Sequence, residues 1–164
     1  MAGCAQAATP GAHPDSNVQG ARGITGIPQI YQGIEGIQVL CLVQANGAVA
    51  PADVADRICD AVVKEAAVGA DLPVERIQIG DPRVLTADQL TILAHVSVLD
   101  GDRLAVSMRP YRPMAAGSDV LFGAMPRVGN LADDATLSSI AAASLDEILP
   151  WRQQERGPRR IDEF

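Results

Sequence analysis

The pattern of apolar and polar positions is clearest between Ile92 and Arg109. Ile92, Ala94, Val96 and Val98 alternate with Leu93, His95, Ser97 and Leu99. After Asp100-Gly101 the alternation resumes, with Leu104, Val106 and Met108 on one face. Asp-Gly between two alternating runs predicts a β-hairpin, because both residues tolerate the positive φ that a tight turn needs. Upstream, Ile37–Gln44 is almost continuously apolar and predicts a strand buried on both faces. Val74–Gly80 alternates and predicts another strand, broken by Asp81-Pro82. Val120–Ala124, ended by Pro126, is a candidate fifth strand.

Two segments carry the helical period. Val54, Ile58, Ala61, Val62 and Ala66 form one stripe, with Asp56, Asp60 and Lys64 off it. Pro51 stands at the expected first helical position and Gly69 at the stop. The second helix is predicted over 134–149, capped by Asp133 or Asp134, with Leu137, Ile140, Ala141, Ser144, Leu145 and Ile148 inward and Pro150 ending it. A single helical turn is expected at Thr86–Gln89, and Ala45–Ala50 reads as a loop around Asn46-Gly47. The fold class is therefore α/β (α+β): one mixed, largely antiparallel sheet of about four to five strands packed against two helices. The domain spans 34–150. Residues 1–33, rich in Gly, Ala and Pro, read as a flexible tether, and 151–164 as a disordered charged tail.

Composition narrows the function. A chain of 164 residues is one domain with tails, and its aromatic share of 3% leaves the core to Ala, Val, Leu and Ile. The net charge of −7 argues against a nucleic-acid partner. Twelve Arg against one Lys (Lys64), with abundant Ala and Gly, suggest a GC-rich bacterial source. No run of about 18 apolar residues is present to span a membrane.

Candidate chemistry is sparse. Cys4, Cys41 and Cys59 form no CxxC and no Cys/His pair with His13 or His95, so no metal site is expected. The glycines match no phosphate-binding loop, and no cofactor is expected. Ser97, Ser107, Ser138 and Ser139 lack a nucleophile-elbow context. His95 reads as a partly buried, hydrogen-bonded side chain; as a general base it would need an acid or a nucleophile beside it. Cys41 on the first strand and Cys59 on the first helix can approach each other, and two buried thiols are the expected state. Arg109, Tyr111, Arg112 and Arg127 gather near the hairpin exit and form a candidate binding patch for an acidic partner, since Arg forks bind carboxylates and phosphates.

Ala2-Gly3-Cys4 resembles the last three positions of a bacterial lipoprotein box, with Met1 where an aliphatic residue is usual. The apolar stretch that precedes such a box is not in the chain, which suggests a start inside the signal. Cys4 is thus the candidate lipidation site, and the Gly/Pro-rich segment after it suits a tether to a membrane.

The order of elements, with the apolar strand at Ile37–Gln44, the helix over 51–67, the strand pair around Asp100-Gly101 and the closing helix, resembles the amino-terminal domain of the periplasmic Tol-system propeller protein. It also resembles related domains of curli-secretion, flagellar-assembly and penicillin-binding-protein-activator lipoproteins. Val43-Gln44-Ala45 stands where those domains usually carry Pro-Phe. The resemblance implies a non-catalytic envelope protein, periplasmic or anchored to the outer membrane. Its work would be protein–protein recognition or assembly, with an envelope protein partner and with self-association as a further expectation. The alternatives are a cytoplasmic accessory or oligomeric binding subunit, and a small enzyme using His95 as base.

Overall fold

A computed structural model describes residues 28–99, 102–113 and 123–154. The strands are β1 (Gly36–Ala45), β2 (Ala48–Val49), β3 (Val74–Ile77), β4 (Gln89–Val98), β5 (Arg103–Tyr111) and β6 (Arg127–Asn130). The helices are α1 (Ala52–Ala66), α2 (Asp134–Ile148) and the short α3 (Pro150–Gln154). One mixed sheet runs in the order β2-β1-β4-β5-β6, with β3 pairing with β1 beside β2. The mixed sheet and its helical layer match the fold class read from the sequence.

The hairpin strands pair antiparallel from Val98–Leu104 to Thr91–Tyr111. Ile92, Ala94, Val96, Leu104, Val106 and Met108 are all buried, so the alternating stripe forms the sheet side of the core. The turn itself, Asp100-Gly101, lies outside the described residues. β1 runs parallel to both β3 and β4. Ile37, Val39 and Val43 face the helices and are buried, whereas Leu40 and Leu42 on the other face are only half-buried. β1 is therefore not buried on both faces along its length. Helices cover one side only.

α1 connects β1 to β3 across the first face. The connection from β3 to β4 must then cross β1 in the opposite direction. The right-handed rule for parallel crossovers places it on the other face. The side chains agree. Arg76 turns toward α1, pairing with Asp56 at 2.9 Å, so its neighbour Glu75 points to the opposite face. There Glu75 accepts from Arg83, in the connecting segment, at 2.8 Å. Gln38, Thr91 and Ile77, on that same face, are buried.

Several local expectations are corrected. Asn46 (φ 50°) and Gly47 (φ 78°) form a tight hairpin turn joining β1 to β2, not an open loop. Pro51 precedes α1 as its cap, so the helix starts at Ala52. The helical turn before β4 is a 3₁₀ turn at Pro82–Leu85, earlier than Thr86–Gln89, because the Asp81 side chain accepts from the Arg83 amide and nucleates it there. The edge strand is β6. Gly123 and Ala124 belong to no strand, and Val120–Phe122 lie outside the described residues.

Both boundaries of the domain shift outward. Ile30 and Tyr31, placed in the tether by sequence, are buried in the core, and the Tyr31 hydroxyl donates to the Ile148 carbonyl. At the other end Pro150 starts α3, and Arg152 is buried where a disordered tail was expected. Its guanidinium donates to Asp146 Oδ1 at 2.7 Å and to the Glu65 carbonyl at 2.5 Å, tying α1, α2 and α3 together. Residues 1–27 and 155–164 lie outside the described residues.

Candidate functional site

The four residues of the predicted patch do not form one surface. Arg109 and Tyr111 share the sheet face opposite the helices, by alternation with buried Met108. Arg127 stands on β6 opposite Val106, on the helical face, and is engaged by Glu147 and the Ala143 carbonyl of α2. Arg112 is occupied from within the chain. Its guanidinium reaches the carbonyls of Gln32 at 2.5 Å, Ala87 at 2.6 Å, Ile30 at 3.3 Å and Gly33 at 3.4 Å. It therefore works as a clamp holding 30–33 against the sheet. Long-range backbone contacts of this kind carry no sequence signal. Arg109 is exposed, and no hydrogen bond or ion pair to its guanidinium is formed among the described residues.

His95 is exposed, not partly buried, and its Nε2 lies 3.1 Å from Gln44 Oε1. The partner is an amide. The acid that a general-base reading needs is not paired with it among the described residues. Among those residues no group of three or more His, Cys, Asp or Glu is placed to hold a metal ion, and no helix is long and apolar enough to cross a membrane. Cys4, the candidate lipidation site, lies outside the described residues.

Cys41 and Cys59 are joined in a disulfide between β1 and α1, with their Cα atoms 5.8 Å apart. This corrects the expectation of two free buried thiols. Each position was correctly placed on a face that meets the other. The sequence alone did not determine whether the two sulfurs were close enough to join.

The electrostatics are local. Arg83 grips Asp81 through both carboxylate oxygens and reaches Glu75. The Arg83 hydrogen bonds hold the Asp81 carboxyl below its ordinary range, and the two carboxylates in turn hold Arg83 charged. Asp133 caps α2. The Thr136 hydroxyl first, then the Ala135 and Thr136 amides, hold its carboxyl low. Burial pushes the Tyr31 phenol up.

What remains is the edge at β6. Among the described residues β6 is the end strand and pairs with β5 alone. Native edges are usually guarded by charge, proline or bulges. Here the sequence is Arg-Val-Gly-Asn, and the only charge, Arg127, is neutralised by Glu147. Val128 is 68% exposed, and nearby Met125 is 71% exposed. Gly129 lets α2 lie directly over the edge: a Cβ there would stand 1.9 Å from Ile140 Cδ1. Sequence reading missed β6 because four residues containing one aliphatic side chain carry no period. The glycine between Val128 and Asn130 was the one usable signal.

No family model matches the chain, and no curated protein matches it. Among solved structures, the PelC dodecamer from Paraburkholderia phytofirmans is similar at TM-score 0.45 and 11% identity, over 70% of this chain and 89% of that one. A point variant of the same dodecamer, in a second crystal form, gives TM-score 0.44 and 14% identity, over 71% and 89%. The likeness assigns no function to this chain.

Proposed function

We propose that this protein is a non-catalytic recognition or assembly protein of the bacterial envelope, held outside the cytoplasm and anchored through Cys4. The observation that carries the recognition reading is the unguarded edge at β6. Exposed strand edges recruit extended partners through main-chain hydrogen bonds, and the neighbouring side chains set the specificity. The Arg109–Arg112 region is the weaker candidate, because Arg112 is spent on its own chain.

The compartment rests on a separate observation. A disulfide linking β1 to α1 is a feature of oxidising environments such as the periplasm, since cytosolic thiols are kept reduced. The Ala2-Gly3-Cys4 resemblance points the same way.

The test is expression from the native upstream region in a Gram-negative host, followed by fractionation, thiol trapping and intact mass. The expected result is membrane-associated protein with Cys41 and Cys59 resistant to alkylation and a diacylglyceryl mass on Cys4. Soluble cytoplasmic protein with three alkylatable cysteines would overturn the envelope reading and favour the cytoplasmic accessory subunit.

A further inference from the structure

We infer that the β6 edge and the flank of α2 beside it form a two-fold interface with a second copy of this chain, the two β6 strands pairing antiparallel into one continuous sheet. The inference deepens the recognition reading by naming the partner.

Three observations support it. The first is the edge: among the described residues β6 is bonded on one side only, and its own four residues lack the usual guards against pairing. The second is the character of α2. Where α1 separates an apolar stripe from a charged outer face, α2 has no such sharp division: its polar side chains are mostly small, and its carboxylates are paired. Its flank toward β6 is Thr136, Ile140, Ala143 and Glu147, all half-buried. The third is charge. The chain carries −7 overall, so two copies repel unless they meet where charge is balanced. Every carboxylate of α2 is paired: Asp134 with Arg57, Asp146 with Arg152 and Glu147 with Arg127. The patch is neutral within an acidic molecule, and that condition favours a second acidic copy over a basic partner.

The geometry closes. Strands lie about 4.8 Å apart, so a two-fold axis midway between paired β6 strands stands about 2.4 Å from β6 and about 7 Å from β5. α2 packs over β5 and β6. Its axis therefore stands about 5 Å from the dyad, and its mate lies about 10 Å away, within reach of ordinary helix packing. Ile140 of α2 packs over Gly129 at this edge. An isologous contact of this kind requires the same patch to match itself. Val128 and Gly129 at the centre, one exposed and one without a side chain, do so without a clash or a buried charge.

The experiment is sedimentation velocity on the full chain from about 1 to about 100 μM, on wild type, Val128→Lys and Val49→Lys. Lys is the natural guard of an edge, and Val49 is the equally exposed control at the opposite edge, 79% exposed. The expected result is wild-type association beyond the 17.1 kDa chain, a dissociation constant raised at least about tenfold by Val128→Lys, and no change with Val49→Lys. A benzophenone amino acid at position 128 is expected to give a covalent homodimer, which keeps the question open to test if the Lys variant folds poorly. A wild type that stays monomeric at about 100 μM, or association that Val128→Lys leaves intact or that Val49→Lys weakens equally, would overturn the inference. None of these outcomes depends on where the protein resides, so the compartment test stands or fails separately.

Discussion

The two long helices are of equal length and cover the same face of one sheet, yet they are held by different means. α1 presents Asp53, Asp56, Asp60 and Lys64 to solvent and buries a narrow stripe of Ile58, Cys59, Val62 and Ala66. It is fixed by a covalent bond to β1 and by Arg76 reaching Asp56 and Asp60. α2 buries Leu137, Ala141, Ser144, Leu145 and Ile148, has its carboxylates paired, and is capped by a side chain. A helix with a solvated outer face and a covalent staple is finished within one molecule. A helix whose carboxylates are all paired and which lies beside a strand edge is, on the inference above, the side that a second copy covers. On the proposed reading, the stapled helix carries stability and the other carries recognition.

The largest effect should come from the packing of α2. Leu145 is fully buried, and Leu145→Ala should cost about 3–4 kcal/mol, read from urea unfolding. A cost below about 1 kcal/mol would mean that α2 is not seated on the sheet as described. Next is the staple on α1. The bridged cysteines are 18 residues apart, and reduction or paired Ala substitution should remove about 3 kcal/mol. Hydrogen exchange should show the gain in flexibility over 52–66 and not over 134–148. Equal loosening of both helices would erase the contrast between them.

Gly129→Ala sharpens the contrast from the sheet side. The added methyl meets the terminal Cδ1 of Ile140, which must turn aside, at a cost of about 1 kcal/mol. A cost above about 3 kcal/mol would show that Ile140 has no room to turn and that α2 itself must move. The smallest effects are electrostatic. Asp133→Ala removes the α2 cap and should lower the melting midpoint by a few degrees, with no matching effect from Asp53→Ala on α1. Because its folded carboxyl titrates lower than an unfolded one, the Asp133 contribution is complete above the ordinary carboxylate range and fades as pH falls through the lowered value. Tyr31 has the opposite sign. Its raised phenol contributes stability that is intact below about pH 10 and is lost as pH climbs toward the raised folded value. Alkaline titration of wild type against Tyr31→Phe would read this as a steeper loss in the wild type.

Much of the fold was legible because its signals are local. The β4–β5 pair was marked by alternation around Asp100-Gly101, and α2 by Asp133 followed by an apolar stripe. The β1–β2 turn carried an equally plain Asn46-Gly47, but β2 is only two residues long before Pro51, so no second alternating run identified it as a hairpin. The candidate site was less legible. Arg112 and Arg127 are close in sequence, yet one faces carbonyls about 80 residues upstream and the other a carboxylate on α2. Neither destination is written in their neighbours. The edge at β6 is defined by what pairs with it, and periodicity cannot report that.

The most direct measurement is hydrogen exchange on the full chain at two concentrations, about 1 and about 100 μM. The expected result is that amides of 128–130 gain protection at the higher concentration while those of β2 and β3, at the opposite edge, exchange unchanged. Amides of β6 exchanging at the same rate at both concentrations would contradict pairing of this edge between copies.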